Sequence, residues 1–318
     1  MVFCFTTKQS GCKGVRRLGC ERKDRAALRL LHAGITIKAF CAFNTICAIA
    51  LGLAVASAPA AEVTVEELLN QAHAAHQKGE HAQAVSFANR AVAAAPTNAR
   101  CYYVRGRIYA ESREAAKAVA DFERVLGMEP RAPGVYQLRG VEHFKLGHFK
   151  ESIADFDRYI ELVPKERPHH WRRGISCYYA GRYEEGRKQF ELHQTVNSND
   201  VENAVWHYLC VARSEGVEKA RASLIPIQDD RRIPMMKIHE LFGGKARPDD
   251  VLAAAQANTP SPDQLAHQLF YAHLYLGLYY EAAGNRKLAR EHILKAAEDY
   301  QQDHSMGDVA RVHARLLR

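Results

Sequence analysis

Histidine pairs are the residues whose spacing comes nearest to metal chemistry. His73 and His76 fall three apart, which on a helix puts them on one face. His143 and His148 are five apart, and His169 adjoins His170. A catalytic zinc needs three protein donors, typically an HExxH pair on a helix plus a further ligand. No HExxH occurs, and no acidic cluster stands beside any of the pairs. A metal-dependent hydrolase using His73, His76 or His169 is therefore the least favoured function, and surface or packed histidines are the expectation. In an exported chain such histidines could also sense pH.

Nucleophiles fare no better. The sequence holds no GxSxG, no GxxxxGK[ST], and no GxGxxG after a strand. Strand patterns are almost absent, so a nucleophile and its base would have to stand on helices alone. Five of the eight cysteines lie in residues 1–60. Cys101, Cys177 and Cys210 are the others, and none forms a CxxC. Three cysteines cannot all pair within one chain, so packing inside helices is their expected role. No enzyme activity, catalytic residue, cofactor or metal is expected.

Charge is distributed unevenly. The formal net charge is +8, but residues 1–60 carry nine Lys+Arg against two Asp+Glu. The remainder is close to neutral and lacks the basic field that nucleic-acid binding requires. Residues 39–61, AFCAFNTICAIALGLAVASAPAA, follow Lys38 as an apolar run closed by small residues. Ala58-Pro59-Ala60 fits an A-x-A cleavage site, so residues 1–60 read as a basic leader with a signal peptide, leaving Ala61 first. Uncleaved, the run would be a membrane anchor, since about 20 apolar residues suffice to span. The expected location is periplasmic or cell-envelope, with membrane contact only through that leader.

The strongest pattern is a period of 34. Pro96, Pro130 and Pro164 stand in register, and so do Gly106, Gly140 and Gly174. With units starting at Val65, Ala99, Pro133 and Arg167, position 20 is Ala84, Ala118, Ser152 and Gly186. Position 24 is Ala88, Phe122, Phe156 and Phe190. Small residues at positions 8 and 20 let two helices of a unit cross closely, and the aromatic at 24 fills the space beside them. Glycine at position 15 (Gly79, Gly147, Gly181) suits the turn, and proline at 32 ends the second helix. One such hairpin cannot bury its apolar face alone, so the units must stack.

This spacing resembles the tetratricopeptide-repeat (TPR) pattern. The resemblance implies an all-α superhelix of antiparallel helix pairs. Four units occupy 65–200, a degenerate unit and irregular helical insert occupy 201–260, and a terminal unit with a capping helix occupies 261–318. The insert is expected to hold short helices near 235–242 and 248–257. The last unit restarts at Phe270 with Gly277, Gly284, Ala289 and Ile293 in position. A helix over about 304–317 is expected to cap the final apolar surface.

In a TPR hairpin, positions 7 and 23 face each other. Here they are Arg105 and Asp121, Arg139 and Asp155, then Arg173 and Gln189. The first two pairs are expected to staple their hairpins. Arg173 has no aspartate there and is counted with the groove. First helices of TPR units line a concave face, which assigns partner binding to Tyr103, Arg107, Gln137, Phe144, Trp171, Arg173, Tyr178 and Tyr179. Tyr, Trp and Arg are the usual anchors of interfaces, and about half of these aromatics are expected to be accessible. The pattern lacks the Lys and Asn positions of chaperone-tail clamps.

The order of units after residue 170 (WRRGISCYYAGRYEEGRKQF, VWHYLCVARSEGVEKARASL, QLAHQLFYAHLYLGLYYEAAGNRKLAREHILKA) resembles the NlpI family of bacterial TPR lipoproteins. That resemblance implies a periplasmic adaptor, often dimeric, that tethers proteases and peptidoglycan hydrolases. A lipobox cysteine is missing here, which departs from the family. The function expected is an exported scaffold that holds a protein or peptide ligand in the concave groove. The alternative is an envelope-assembly protein that self-associates, as a homodimer, through 226–260 or the apolar helix at 270–280.

Overall fold

The computed structural model describes residues 63–318; the leader, its cleavage site and the anchor alternative lie outside the described residues. Helices account for nearly all of the regular structure there. Four antiparallel pairs come first: α1 (Val65–Gln77) with α2 (His81–Ala94), α3 (Ala99–Glu111) with α4 (Ala115–Met128), α5 (Pro133–Leu146) with α6 (Phe149–Leu162), and α7 (Trp171–Tyr179) with α8 (Tyr183–Gln194). A 3-10 turn, Pro164–His169, separates α6 from α7.

Local chemistry marks the helix ends. Thr64 and Glu67 form a reciprocal capping box at the start of α1, which satisfies two N–H groups that have no partner inside the helix. Asn98 caps α3. The hairpin turns need a left-handed residue, supplied by Gly79, Gly147 and Gly181 at φ 76°, 83° and 74°. In the second unit Arg113 takes that conformation at φ 62°.

Close crossing explains the small residues at position 8. A Cβ on Gly106 would lie 2.9 Å from the Phe122 ring, on Gly140 2.7 Å from Phe156, and on Gly174 2.7 Å from Phe190. All three phenylalanines are buried, so each ring occupies the volume that any larger residue would need.

The second half follows the same logic less regularly. α9 (Val201–Glu215) packs on α8, and short α10 (Val217–Ala222) folds against it. α11 (Met235–Phe242) and α12 (Pro248–Gln256) occupy the insert. α13 (Pro262–Ala282) begins eight residues before the repeat motif, because Ser261 and Gln264 form a capping box there. It pairs with α14 (Arg286–Leu294), where Gly277 meets Ile293 as Gly106 meets Phe122. Every residue from Leu269 to Leu278 is buried. Residues 269–278 of the apolar helix are thus enclosed by their own chain, against α9, α11, α12 and α14, while Tyr279 and Tyr280 are half-buried.

α15 (Ser305–Leu316) packs on α14 and on the π-turn Lys295–Asp299, and also reaches back to α5. The expected terminal cap is therefore also a lid over earlier repeats. Among the described residues, no helix is long and apolar enough to cross a membrane.

Candidate functional site: the groove of the repeats and the helix within it

The arginines at position 7 form a ladder. Arg105 donates to Asp121 from Nε and Nη2 at 2.8 and 2.7 Å, and Arg139 donates to Asp155 at 2.9 and 2.6 Å. Both aspartates are buried. Arg105 also reaches Asn89 of the preceding unit at 2.8 Å. Arg173 meets Asp157 of the preceding unit at 2.5 Å and Glu185 at 3.3 Å. Asn89 and Asp157 share position 25, so these two arginines tie neighbouring units together. Arg173 is therefore bound within the ladder and is not offered to a groove ligand. The signal lay in position 25, which is Asn89, Glu123 and Asp157 in successive units.

A second ladder was not anticipated. Tyr102 and Tyr136, both at position 4, donate to the carbonyls of Pro96 and Pro130 at 3.1 Å. The guanidinium groups of Arg105 and Arg139 lie 5.6 and 5.7 Å from these tyrosine ring centroids. In the fourth unit His170 takes the tyrosine's place. It is buried beside Phe156 and Tyr159, with ring centroids at 4.6 and 5.3 Å. Neither of its nitrogens has a partner, and burial pushes its pKa down to about 4.

The expected groove residues divide into two groups. Arg107 is exposed, and Tyr103 and Gln137 are half-buried. Arg107 grips Glu111, with Nη2 at 2.5 Å, and Glu111 also meets His76 at 2.5 Å. The guanidinium and imidazole together hold the Glu111 carboxyl below its usual range against a burial effect that raises it. Beside them, a cleft of about 570 Å³ opens between α3, α5 and α15, walled by Ala110, Leu138 and Val141 and by charged side chains.

Phe144 and Tyr178 are buried, while Trp171 and Tyr179 are half-buried. α15 covers Phe144, Trp171 and Tyr179, while Tyr178 is packed against Tyr183 and Trp206. Arg172 donates to Ser305 at 2.8 Å, Tyr179 meets His313 at 2.8 Å, and Arg315 donates to the Lys145 carbonyl. Phe144, Tyr178 and Tyr179 also pack on one another's rings and on Phe149 and Trp206. For Phe144 and Tyr178 the open-surface assignment is corrected: both are buried in the core, Phe144 beside Val309 of α15 and Tyr178 against Tyr183 and Trp206. Aromatic rings serve cores and interfaces equally well, so residue type alone could not separate the two groups.

Of the histidine pairs, His143 and His148 come together, with their Nδ1 atoms 3.4 Å apart. His73 bonds Gln77, His76 bonds Glu111, and His169 is exposed. Among the described residues, no three His, Cys, Asp or Glu side chains come together to hold a metal ion. The three cysteines there are buried and unpaired. Burial pushes the Cys177 thiol up to about 11.

Comparison with known proteins matches this geometry. The tetratricopeptide-repeat family model matches three overlapping windows, 69–135, 103–167 and 138–196. No curated protein matches the sequence. Among solved structures, a tetratricopeptide repeat protein from Parabacteroides merdae superposes with a TM-score of 0.53 at 16% identity, covering 80% of this chain and 98% of that one. MamA gives 0.47 at 13% identity over 57% of this chain and 92% of that one. YrrB, described as a TPR protein with an unusual peptide-binding site, gives 0.37 at 18% identity over 72% of this chain and 97% of that one. With the arginine ladder, the glycine–phenylalanine crossings and the family match all in the same register, the chain carries tetratricopeptide repeats across residues 69–196 and folds as a TPR solenoid.

Proposed function

We propose that the chain is an exported interaction scaffold that holds a protein or peptide partner along the open part of the groove, at Tyr103, Arg107, Glu111 and Gln137. One observation carries this reading. The exposed Arg107–Glu111 pair borders a cleft of about 570 Å³ whose walls mix aliphatic and charged side chains. That mixture suits a peptide, whose apolar side chains can be buried while its polar groups meet fixed charges. The tetratricopeptide-repeat match supports a scaffold rather than a catalyst. Export rests on the 39–61 segment and its small-residue end.

The test is affinity capture from envelope extract, with residues 61–318 beside an Arg107→Ala, Tyr103→Ala variant. Neither side chain is in the core, so the variant should fold. Loss of a partner that the parent retains supports the groove reading. Identical captures by both chains would end it. Terminal sequencing of the protein made in its host tests export separately, and a mature chain beginning at Met1 would refute cleavage.

A further inference from the structure

The seat of α15 contains two charged groups that it does not satisfy. Arg172 of α7 gives Nη2 to the Ser305 hydroxyl, while its Nε is buried without a partner. Its guanidinium lies 4.4 Å from the Trp171 ring centroid. Among the described residues its side-chain hydrogen bond is to Ser305, and the nearby Asp308 carboxylate acts on it only through its field. Asp308 lines the same wall but is held by Arg311 at 2.7 Å. Across the seat, Glu142 of α5 is 3% exposed. One of its oxygens meets Lys145 at 2.7 Å and the other meets nothing. Burial pulls the Arg172 pKa down and pushes the Glu142 pKa up.

Covering such groups without pairing them is unfavourable, because each loses water and gains no equivalent bond. α15 brings to this seat a serine hydroxyl, an imidazole, an arginine and the Asp308 carboxylate, but Asp308 is bonded to Arg311 and makes no hydrogen bond to Arg172. The helix connects to the rest of the chain through residues 300–304, which belong to no helix. The seam is also incompletely filled, with a cleft of about 430 Å³ beside Arg315 and Lys145.

We propose that α15 is a resident occupant of the groove, and that a protein partner replaces it with an acidic segment whose carboxylate takes the Arg172 guanidinium. An arginine fork pairs with a carboxylate through two parallel bonds, and Ser305 supplies only one. This extends the scaffold reading above and rests on it: the partner's contact surface continues from the open cleft into the seat that α15 leaves.

The experiment uses the full chain and two fluorescein-labelled peptides copying residues 303–318, one native and one carrying Ser305→Asp, followed by anisotropy. The Asp copy should bind about tenfold tighter than the native copy, as a two-bond ion pair replacing a single bond to a neutral hydroxyl implies. That preference should vanish in an Arg172→Gln chain. Equal binding of the two copies, binding of neither, or a preference that survives Arg172→Gln would each overturn the proposal. A second measurement places Ser305→Asp in the chain itself. Hydrogen exchange across 305–316 should slow in the parent background and slow less in the Arg172→Gln background. Aspartate at a helix start is favourable in both, so the difference between backgrounds is the readout. If these results are negative while Arg107→Ala still abolishes partner capture, the scaffold reading survives and only displacement of α15 is lost.

Discussion

The hydroxyl of Tyr179 lies 2.8 Å from Nδ1 of His313, although 134 residues separate them in sequence. The other imidazole nitrogen faces Glu281 of α13 at 3.3 Å. One side chain of α15 thus touches both the fourth repeat and the terminal unit, hydrogen-bonded to Tyr179 alone. Tyr179→Phe keeps the ring packing and removes this bond, leaving a buried nitrogen unpartnered. A loss of about 1–2 kcal/mol is expected, with faster hydrogen exchange concentrated in residues 305–316. Uniform exchange changes across the whole chain would contradict a local role.

The crossing glycines predict a contrast within one helix. Gly140→Ala drives a methyl to 2.7 Å from the Phe156 ring and should cost about 1–3 kcal/mol. Gly134 lies on the same helix with nothing within 4 Å of its added Cβ. Gly134→Ala should be neutral or stabilise by up to about 1 kcal/mol, through helix propensity. Urea midpoints that move the same way in both variants would refute the crossing argument.

The ion pairs should separate by burial. Asp155→Ala strands the Arg139 guanidinium in a site where both partners are largely enclosed, and about 3 kcal/mol or more should be lost. Glu66→Ala breaks an equally short pair with Arg100, but both side chains there are more than half exposed. A change below about 1 kcal/mol is expected. Equal losses would mean that pair geometry, not burial, sets the energy.

Acid should destabilise the fold. His170 and His273 both have pKa values pushed down to about 4, first by burial. Their unfolded values lie near 6.5, so the unfolded chain binds more protons between pH 6.5 and 4. Stability is full above that window and falls as pH drops through it, by on the order of 3 kcal/mol for His170. Glu202 acts the other way. Burial, against the pull of Arg232, pushes its carboxyl up to about 7, so ionising it costs stability as pH rises from about 4.5. Two histidines against one carboxyl leave a net rise in Tm from pH 5 to 7. His170→Phe, which swaps an unpartnered imidazole for an apolar ring, should flatten that rise. A Tm that is flat or falling over the interval in the parent chain would refute the assignment.

Much of the fold could be read from residue spacing because each repeat position serves one local contact. Gly140 and Phe156 are sixteen residues apart and meet within a single hairpin, so the 34-residue period encodes their packing directly. The same holds for Arg139 and Asp155. The seat of α15 is different. Val309, Val312 and Leu316 announce an apolar stripe, but a stripe states only that something is covered. Val309 and Val312 are buried, and Leu316 remains 58% exposed. Nothing in the register of the repeats says that α5 and α7 form the surface beneath. For the same reason Phe144 could be listed as a groove aromatic while lying beside a helix more than a hundred residues downstream.

The contact between α15 and α5 also changes how the array can come apart. Stacked repeats touch only their neighbours, and such arrays can fray from either end unit by unit. Here a C-terminal element is fastened to the third pair, so the segment from Pro133 to Leu316 closes on itself as a ring of contacts. Opening that ring requires several interfaces to yield together. Pairs α5 to α8 and the terminal unit should then melt as one cooperative body, leaving α1 to α4 as the end free to unzip.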